Sequence, residues 1–220
     1  SMPVSAFKLM WPALVNAPVR NWVEDHLESG EIDRIEIATN APISTFQSGG
    51  PPVPEDGLSI EIVTSSGTVT PLDGLPPIKD ADFVTRISGR TAIVAFGRGT
   101  VEMPSGRKLT ITDGLFEIPD TWIKKPPARA RLRVDGPVPA AAELLGMERL
   151  RDFSGTPLDP ATSRGTVTAQ VQLAFTLDPD APRGVTTYNI TTDVTNFAVD
   201  KFVMQQKIEA QSLRITANNQ

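Results

Sequence analysis

The chain has 220 residues, enough for one elongated or compact domain or two small ones, and no stretch approaches the roughly 20 apolar residues of a membrane-spanning helix. Apolar residues make up 40% and charged residues 21%, ordinary material for a folded core, while Lys plus Arg (21) against Asp plus Glu (26) leaves a net charge of −5, the wrong sign for a nucleic-acid binder. Absence of cysteine removes disulfides, thiolate metal sites and Cys nucleophiles, and a single histidine, His26, removes any site built on two imidazoles.

Ser1 ahead of Met2 reads as a cleavage scar, and the end at Gln220 directly after a strand-like run reads as a cut through a longer protein. The first expected element is an amphipathic helix over 16–29. Asn16 serves as N-cap, Pro18 lies in the first turn, and Val19, Trp22, Val23 and Leu27 share one face. Gly30 is the expected left-handed terminator. From there the period changes to two, and a first strand series is expected over 31–135. It opens with Ile32 to Ile37, is interrupted by a Ser-, Gly- and Pro-rich loop (48–56), and resumes with Leu58, Ile60 and Ile62. Phe83, Thr85 and Ile87 lead through the turn Ser88-Gly89-Arg90 to Ala92, Val94 and Phe96. Val101 and Met103 precede a turn at 104–106. Leu109 and Ile111 come next, Asp113-Gly114 reads as another turn, and Leu115 to Ile118 as a further strand. Ala128, Ala130, Leu132 and Val134 alternate with Arg129, Arg131 and Arg133.

A helical insertion over 138–153 interrupts the strands. Pro139 opens a run with Leu144 and Leu145 that Gly146 closes, and a second short piece follows from Met147 to Phe153. A second strand series is expected over 165–217. In its long first member Val167, Ala169, Val171, Leu173, Phe175 and Leu177 share one face; Tyr188 to Val194, Val199 to Met204 and Ile208 to Ala217 follow. Between 83 and 118, and again between 187 and 217, strands follow one another with no helical crossover. Neighbours should therefore pair antiparallel in a repeated, extendable meander.

The chemistry of catalysis is not visible in this pattern. His26 sits beside the apolar stripe of a helix, where a surface role near the C-terminal dipole end is the simpler reading. Asp178 and Asp180 flank Pro179 ahead of Pro182 and Gly184, which is turn chemistry. Gly97-Arg98-Gly99 lacks a third glycine and a following helix, so it is no phosphate cradle, and Asn189-Ile190-Thr191 matches a glycosylation triplet in mid-strand. The three arginines at 129, 131 and 133 project to one side, as a solvated outer face that discourages edge pairing or as a contact for an anionic partner. No catalytic residue, metal ligand or cofactor site is expected.

Three stretches together resemble the AsmA-like superfamily of Gram-negative envelope proteins, most closely its YhdP-type members, which are related to TamB. They are Trp11-Pro12-Ala13-Leu14 with Ala17-Pro18-Val19-Arg20-Asn21-Trp22 and Gly30; Val134-Asp135-Gly136-Pro137 with Ala140 to Leu145; and Leu158-Asp159-Pro160-Ala161 followed by Gly165-Thr166-Val167 and the long alternating strand. The order and spacing of these motifs carry the likeness, which covers nearly the whole chain. It implies a mainly β fold: an elongated, curved, antiparallel, groove-like sheet with an apolar inner face, an N-terminal amphipathic helix and a short helical insertion near 139–153. It also implies a non-enzymatic periplasmic role in moving phospholipid towards the outer membrane. The full-length protein would be anchored in the inner membrane by an N-terminal helix outside this sequence and would carry further repeats of the same kind.

The physics fits such a role. About 15 methylenes at roughly 0.8 kcal/mol each make an acyl chain in water about 12 kcal/mol unfavourable. A carrier needs a continuous dry track with headgroups left in solvent, and alternating strands of a bent sheet supply one. Aromatic residues are only 6% of the chain, which suits a smooth lining of weak, repeated sites. The candidate lining is Leu58, Ile60, Ile62, Ala92, Val94, Phe96, Val167, Val171, Leu173 and Phe175, and the helix bearing Trp22 is expected to close one end. Against this stand a β-sandwich that presses such residues into a closed core and binds sugar or protein, an envelope scaffold without lipid cargo, and an enzyme.

Overall fold

A computed structural model of the chain describes residues 1–10, 17–46, 50–71, 74–151, 158–178, 186–200 and 207–219. Several sequence expectations fall on the other residues: the Trp11–Leu14 motif, the Asn16 cap, Asp180, the end of the second helical piece and most of the strand after Val199. The side chains of residues 17–20 and of Trp22 are not among those described, and the expectation that Trp22 closes the groove falls on them.

The element order is β1 (Met2–Pro3), α1 (Val4–Leu9), α2 (Ala17–His26), β2 (Leu27–Thr39), a 3₁₀ turn (Ile43–Phe46), β3 (Leu58–Val69), β4 (Ile78–Ser88), β5 (Thr91–Glu102), β6 (Lys108–Ile118), β7 (Pro127–Pro137), α3 (Val138–Leu145), β8 (Ser163–Thr176), β9 (Thr187–Val199) and β10 (Ile208–Asn218). The ten strands form one open sheet in chain order, every neighbouring pair antiparallel. A meander follows from connections too short for crossovers. Among the described residues there is no second sheet, so these strands do not build a sandwich. Turns from even- to odd-numbered strands (40–57, 89–90, 119–126 and the loop leaving β8) emerge at one end of the sheet, here the lower end. The other loops and α3 emerge at the upper end.

The expected helix over 16–29 is shorter than its sequence pattern. α2 ends at His26, and Leu27 opens β2 instead of completing a helical stripe. Pairing decides this: Leu27 is buried opposite Val69, and the Thr70 amide donates to the His26 carbonyl at 2.9 Å. Gly30 ends no helix. It sits inside β2 at φ +138°, where a Cβ would lie 2.9 Å from the Gly67 Cα. Two strand backbones approach there more closely than any side chain permits. β1 and α1 precede this helix; α1 was not expected, and its Val4 and Phe7 are buried against Leu27 and Ile32.

Asp113-Gly114 is not a turn. β6 runs unbroken from Lys108 to Ile118, and the dipeptide is a bulge with Asp113 at φ +53°, where the pairing with β7 shifts by one residue. Ser66, Asp80 and Asn196 also have positive φ beside register shifts in β3–β4 and β8–β9. Each bulge bends its strand and increases the local twist, and each resets the parity of alternation. In β6, Phe116 and Ile118 are even-numbered, yet Ile111 and Leu109 share their face.

α3 forms as expected. Pro139 is in its first turn, Ala and Leu residues follow, and the Gly146 amide donates to the Ala142 carbonyl at 3.0 Å. The described part of the second helical piece, 147–151, is a series of turns held by the Leu150 amide on the Met147 carbonyl rather than an α-helix. Glu143 ties α3 to the β5–β6 turn, accepting from the Ser105 amide (3.1 Å) and hydroxyl. These bonds hold its carboxyl below the usual range against a smaller opposing effect of burial.

Candidate functional site

Cross-strand partners in an antiparallel ladder share a face, so the register assigns every side chain to one side. One row runs Ile62, Thr85, Val94, Phe116, Ala130, Leu173, Tyr188 from β3 to β9. The row below it runs Ile60, Ile87, Ala92, Ile118, then Ala128 and Phe175. The row above contains Leu132, Val171, Ile190 and Ala217. Further up, Gly136, Val167, Val194 and Leu213 align. All ten candidate lining residues therefore occupy a single face. Leu58, Ile60, Ile62, Ala92 and Val167 are buried; Val94, Phe96, Val171, Leu173 and Phe175 are half-buried.

Covering elements explain this split. Phe46 and Val53 of the β2–β3 loop pack in the same cluster as Leu58, Ile60, Ile87 and Ala92 at the lower end. At the upper end α3 places Ala140 among Val101, Leu109, Ile111 and Val134, and Val138 against Val167 and Val194. α1 and α2 contact β2. The middle of the face from β5 to β10 lies between these covers. Exposure rises along it: Ile60 on β3 is 2% exposed, whereas Leu213 and Ile215 on β10 are 38% and 47% exposed. The face is a trough closed at its β2 end and open along β10.

The lining is graded in size. Ala128 and Ala130 of β7 lie between larger residues of β6 and β8. Over them the Phe116 and Phe175 rings approach with centroids 6.3 Å apart and planes inclined by 33°. Strands two apart are separated by about 9.6 Å, so the rings lean together across the alanines. Glycines deepen the floor. A Cβ on Gly114 would lie 2.8 Å from the Phe96 Cβ, and one on Gly99 2.7 Å from the Phe96 ring.

The opposite face is charged or polar on β2, β7, β8 and β9, with a half-buried apolar row, Val63, Val84, Ala95 and Leu115, across β3 to β6. Arg129, Arg131 and Arg133 are all exposed there, opposite Ala174, Gln172 and Gln170. Arg133 is bonded to Asp135 (2.7 and 3.0 Å), and Arg214 to Asp193 (2.6 and 3.0 Å). The Asp135 carboxyl also accepts from the Thr168 hydroxyl at 2.6 Å. Glu61 bridges Arg34 and Arg86, and the Arg86 bond in particular keeps its carboxyl below the ordinary range. These pairs are exposed and stabilise little, but they set the flanks of this face apart from the apolar trough.

Residues the sequence reading singled out for other chemistry do not converge. His26 is the last residue of α2, Asp178 is paired with Lys125 at 2.7 Å, Gly97-Arg98-Gly99 is inside β5, and Asn189-Ile190-Thr191 is inside β9. Among the described residues no group of three or more His, Asp or Glu is placed to hold a metal ion, and no helix is long and apolar enough to cross a membrane. Trough residues missed by the sequence reading are Phe116, Ala130, Leu132, Ile190, Leu213 and Ile215. The alternation of Ala130 and Leu132 with arginines could have found two of them.

Comparison with protein-family profiles, curated proteins and solved structures returned no match.

Proposed function

We propose that this chain is a non-enzymatic segment of an inner-membrane-anchored periplasmic protein that shields phospholipid acyl chains in its trough on their way towards the outer membrane. The observation that carries the proposal is the continuous apolar face, half-open from β5 to β10 and backed on β7 to β9 by arginines, glutamines and other polar residues. Six strands at about 4.8 Å spacing give a floor about 24 Å long. That exceeds the roughly 15 Å that one acyl chain spans in half a bilayer core. Half-buried aliphatic side chains gain by covering a methylene chain, since each CH₂ removed from water is worth about 0.8 kcal/mol. Among the described residues from β5 to β8 the strip carries aliphatic and phenylalanine side chains and no charge, with Tyr188 and Thr192 following on β9, so no charged position holds the chain tightly, which suits passage along the floor. The headgroup remains in water at the open side. The sequence motifs that resemble the AsmA-like superfamily support the envelope setting.

Native mass spectrometry of the purified chain, with extraction and identification of released lipid, tests the proposal. Co-purified phospholipid in roughly one-to-one complex or higher is the expected result. A chain that stays empty after exposure to phospholipid micelles would favour a scaffold without cargo.

A further inference from the structure

The lower end of the sheet carries a second feature that the trough does not use. The β6–β7 loop presents Trp122 (42% exposed) and Ile123 (49%), followed directly by Lys124 and Lys125. On the β2–β3 loop, at the same end, Ile43 is 80% exposed.

These residues sit on a built ledge rather than on loose loops. The Asp120 carboxylate accepts from the Trp122 amide at 3.0 Å and pairs with Arg90 of the β4–β5 turn at 3.0 Å. The Thr121 amide donates to the Arg90 carbonyl (2.8 Å), and the Thr91 hydroxyl to the Pro119 carbonyl (3.0 Å). On one side the β4–β5 turn is stitched to the β2–β3 loop. The Ser88 hydroxyl donates to the Glu55 carbonyl (3.5 Å), the Gly89 amide to the carbonyl of Leu58 at the start of β3 (2.7 Å), and a Cβ on Gly89 would lie 2.6 Å from the Glu55 Cα. On the other side the Leu177 amide donates to the Pro126 carbonyl (2.9 Å) and Lys125 pairs with Asp178. Three successive turns are thus one connected rim, and Trp122, Ile123 and Ile43 are exposed on it beside charged side chains.

We propose that this rim docks the protein on the surface of a lipid bilayer, with Trp122 and Ile123 seated at headgroup depth and Ile43 as an auxiliary anchor. The composition is what an interface selects: an amphipathic indole, a neighbouring aliphatic side chain, and lysines whose stems stay in the apolar zone while their ammonium groups reach phosphate. A preorganised rim loses little conformational entropy on insertion. Charge has a smaller part. Arg90 and Lys125 are already paired, Glu55 and Asp56 are exposed on the adjacent loop, and the chain carries −5 overall. Insertion of side chains, not long-range attraction, therefore sets the affinity, with anionic lipid adding a modest gain through Lys124. This docking is carried by the rim alone and holds whether or not the trough carries lipid.

Flotation of the 220-residue chain with vesicles of phosphatidylcholine, with and without about a quarter phosphatidylglycerol, tests the proposal. The chain is expected to float with both, more with the anionic mixture. The double variant Trp122→Ser/Ile123→Ser is expected to lose about tenfold or more in partitioning, and Ile43→Ser a few-fold. Because these side chains are exposed, circular dichroism and the lipid released in native mass spectrometry should match the parent. A parent chain that floats with neither vesicle, or a double variant that floats as well as the parent, would overturn the docking. Lipid cargo and flotation are separate readouts, so either claim can fail alone.

Discussion

Replacing Leu173 by Asp separates an open trough from a sealed core. Leu173 is half-buried in the central row, between Ala130 and Tyr188, and among the described residues it belongs to none of the clusters beneath the covering elements. Losing the burial of a leucine side chain that is at most about a third exposed costs about 1–2 kcal/mol, and the poor fit of Asp in a strand adds up to about 1 kcal/mol. Its carboxylate can stay hydrated at an open surface, so no burial penalty for charge follows. A total near 2 kcal/mol lowers the melting temperature of a chain this size by about 4–8 °C and leaves one cooperative transition. Ile60→Asp is the contrast. Ile60 is 2% exposed in the closed part of the same face, so the change removes about 2–3 kcal/mol of burial and buries a charge at a cost of several more. That consumes most of the roughly 5–15 kcal/mol that holds such a fold. Thermal unfolding followed by circular dichroism, with native mass spectrometry of the folded variant, reads both effects. Leu173→Asp should fold and lose at least about tenfold in lipid occupancy, while Ile60→Asp should lose its cooperative transition. If Leu173→Asp unfolds as Ile60→Asp does, the middle of the face is a closed core and the trough argument is wrong.

Gly30→Ala should be costly for a reason that Gly106→Ala does not share. Both glycines have positive φ, +138° and +82°, but a Cβ at 30 meets the Gly67 backbone at 2.9 Å whereas nothing lies within 4 Å at 106. Thermal melts should show a drop of about 2–4 °C for Gly106→Ala, from backbone strain near 1 kcal/mol, and at least twice that for Gly30→Ala; equal drops would refute the close approach of β2 and β3. Stability should also have an acid limb. Glu61, Asp135, Asp193 and Glu209 are held below their ordinary values chiefly by hydrogen bonds from Arg86, Arg133, Arg214 and Lys207, as Glu143 is by Ser105. The folded state therefore binds these protons less readily than the unfolded one. Their contribution is complete above the unfolded values near 4 and is lost as pH falls through the lower folded ones. Urea midpoints should decline below about pH 4, less steeply in Glu61→Gln; a decline that the substitution leaves unchanged would remove Glu61 from this account.

Alternation made the trough legible where parity is preserved. Leu58, Ile60 and Ile62, the Ala92–Phe96 run and the Val167–Phe175 run each lie on uninterrupted stretches of strand, so a period of two assigned them to one side. Phe116 was hidden because Asp113-Gly114 has the letters of a turn and the geometry of a bulge. Nothing local in Ser66 announces a left-handed backbone, and Asn196 only tolerates one readily; the ladder on both sides imposes it. Leu27 was read as the end of a helical stripe because helix and strand both bury it, and only pairing with Val69 distinguishes them. The gradient of exposure was out of reach as well. It depends on where Phe46, Val53 and α3 come down on the sheet, and those contacts are not local in sequence.

The most direct measurement places a photo-crosslinking side chain in turn at Arg131, Leu132, Gln172 and Leu173. These are adjacent pairs whose members face opposite sides of the sheet. Illumination with bound phospholipid should give lipid adducts at 132 and 173 and none at 131 and 172. Adducts at all four positions, or at the arginine-bearing face alone, would contradict a one-sided seat for the acyl chain.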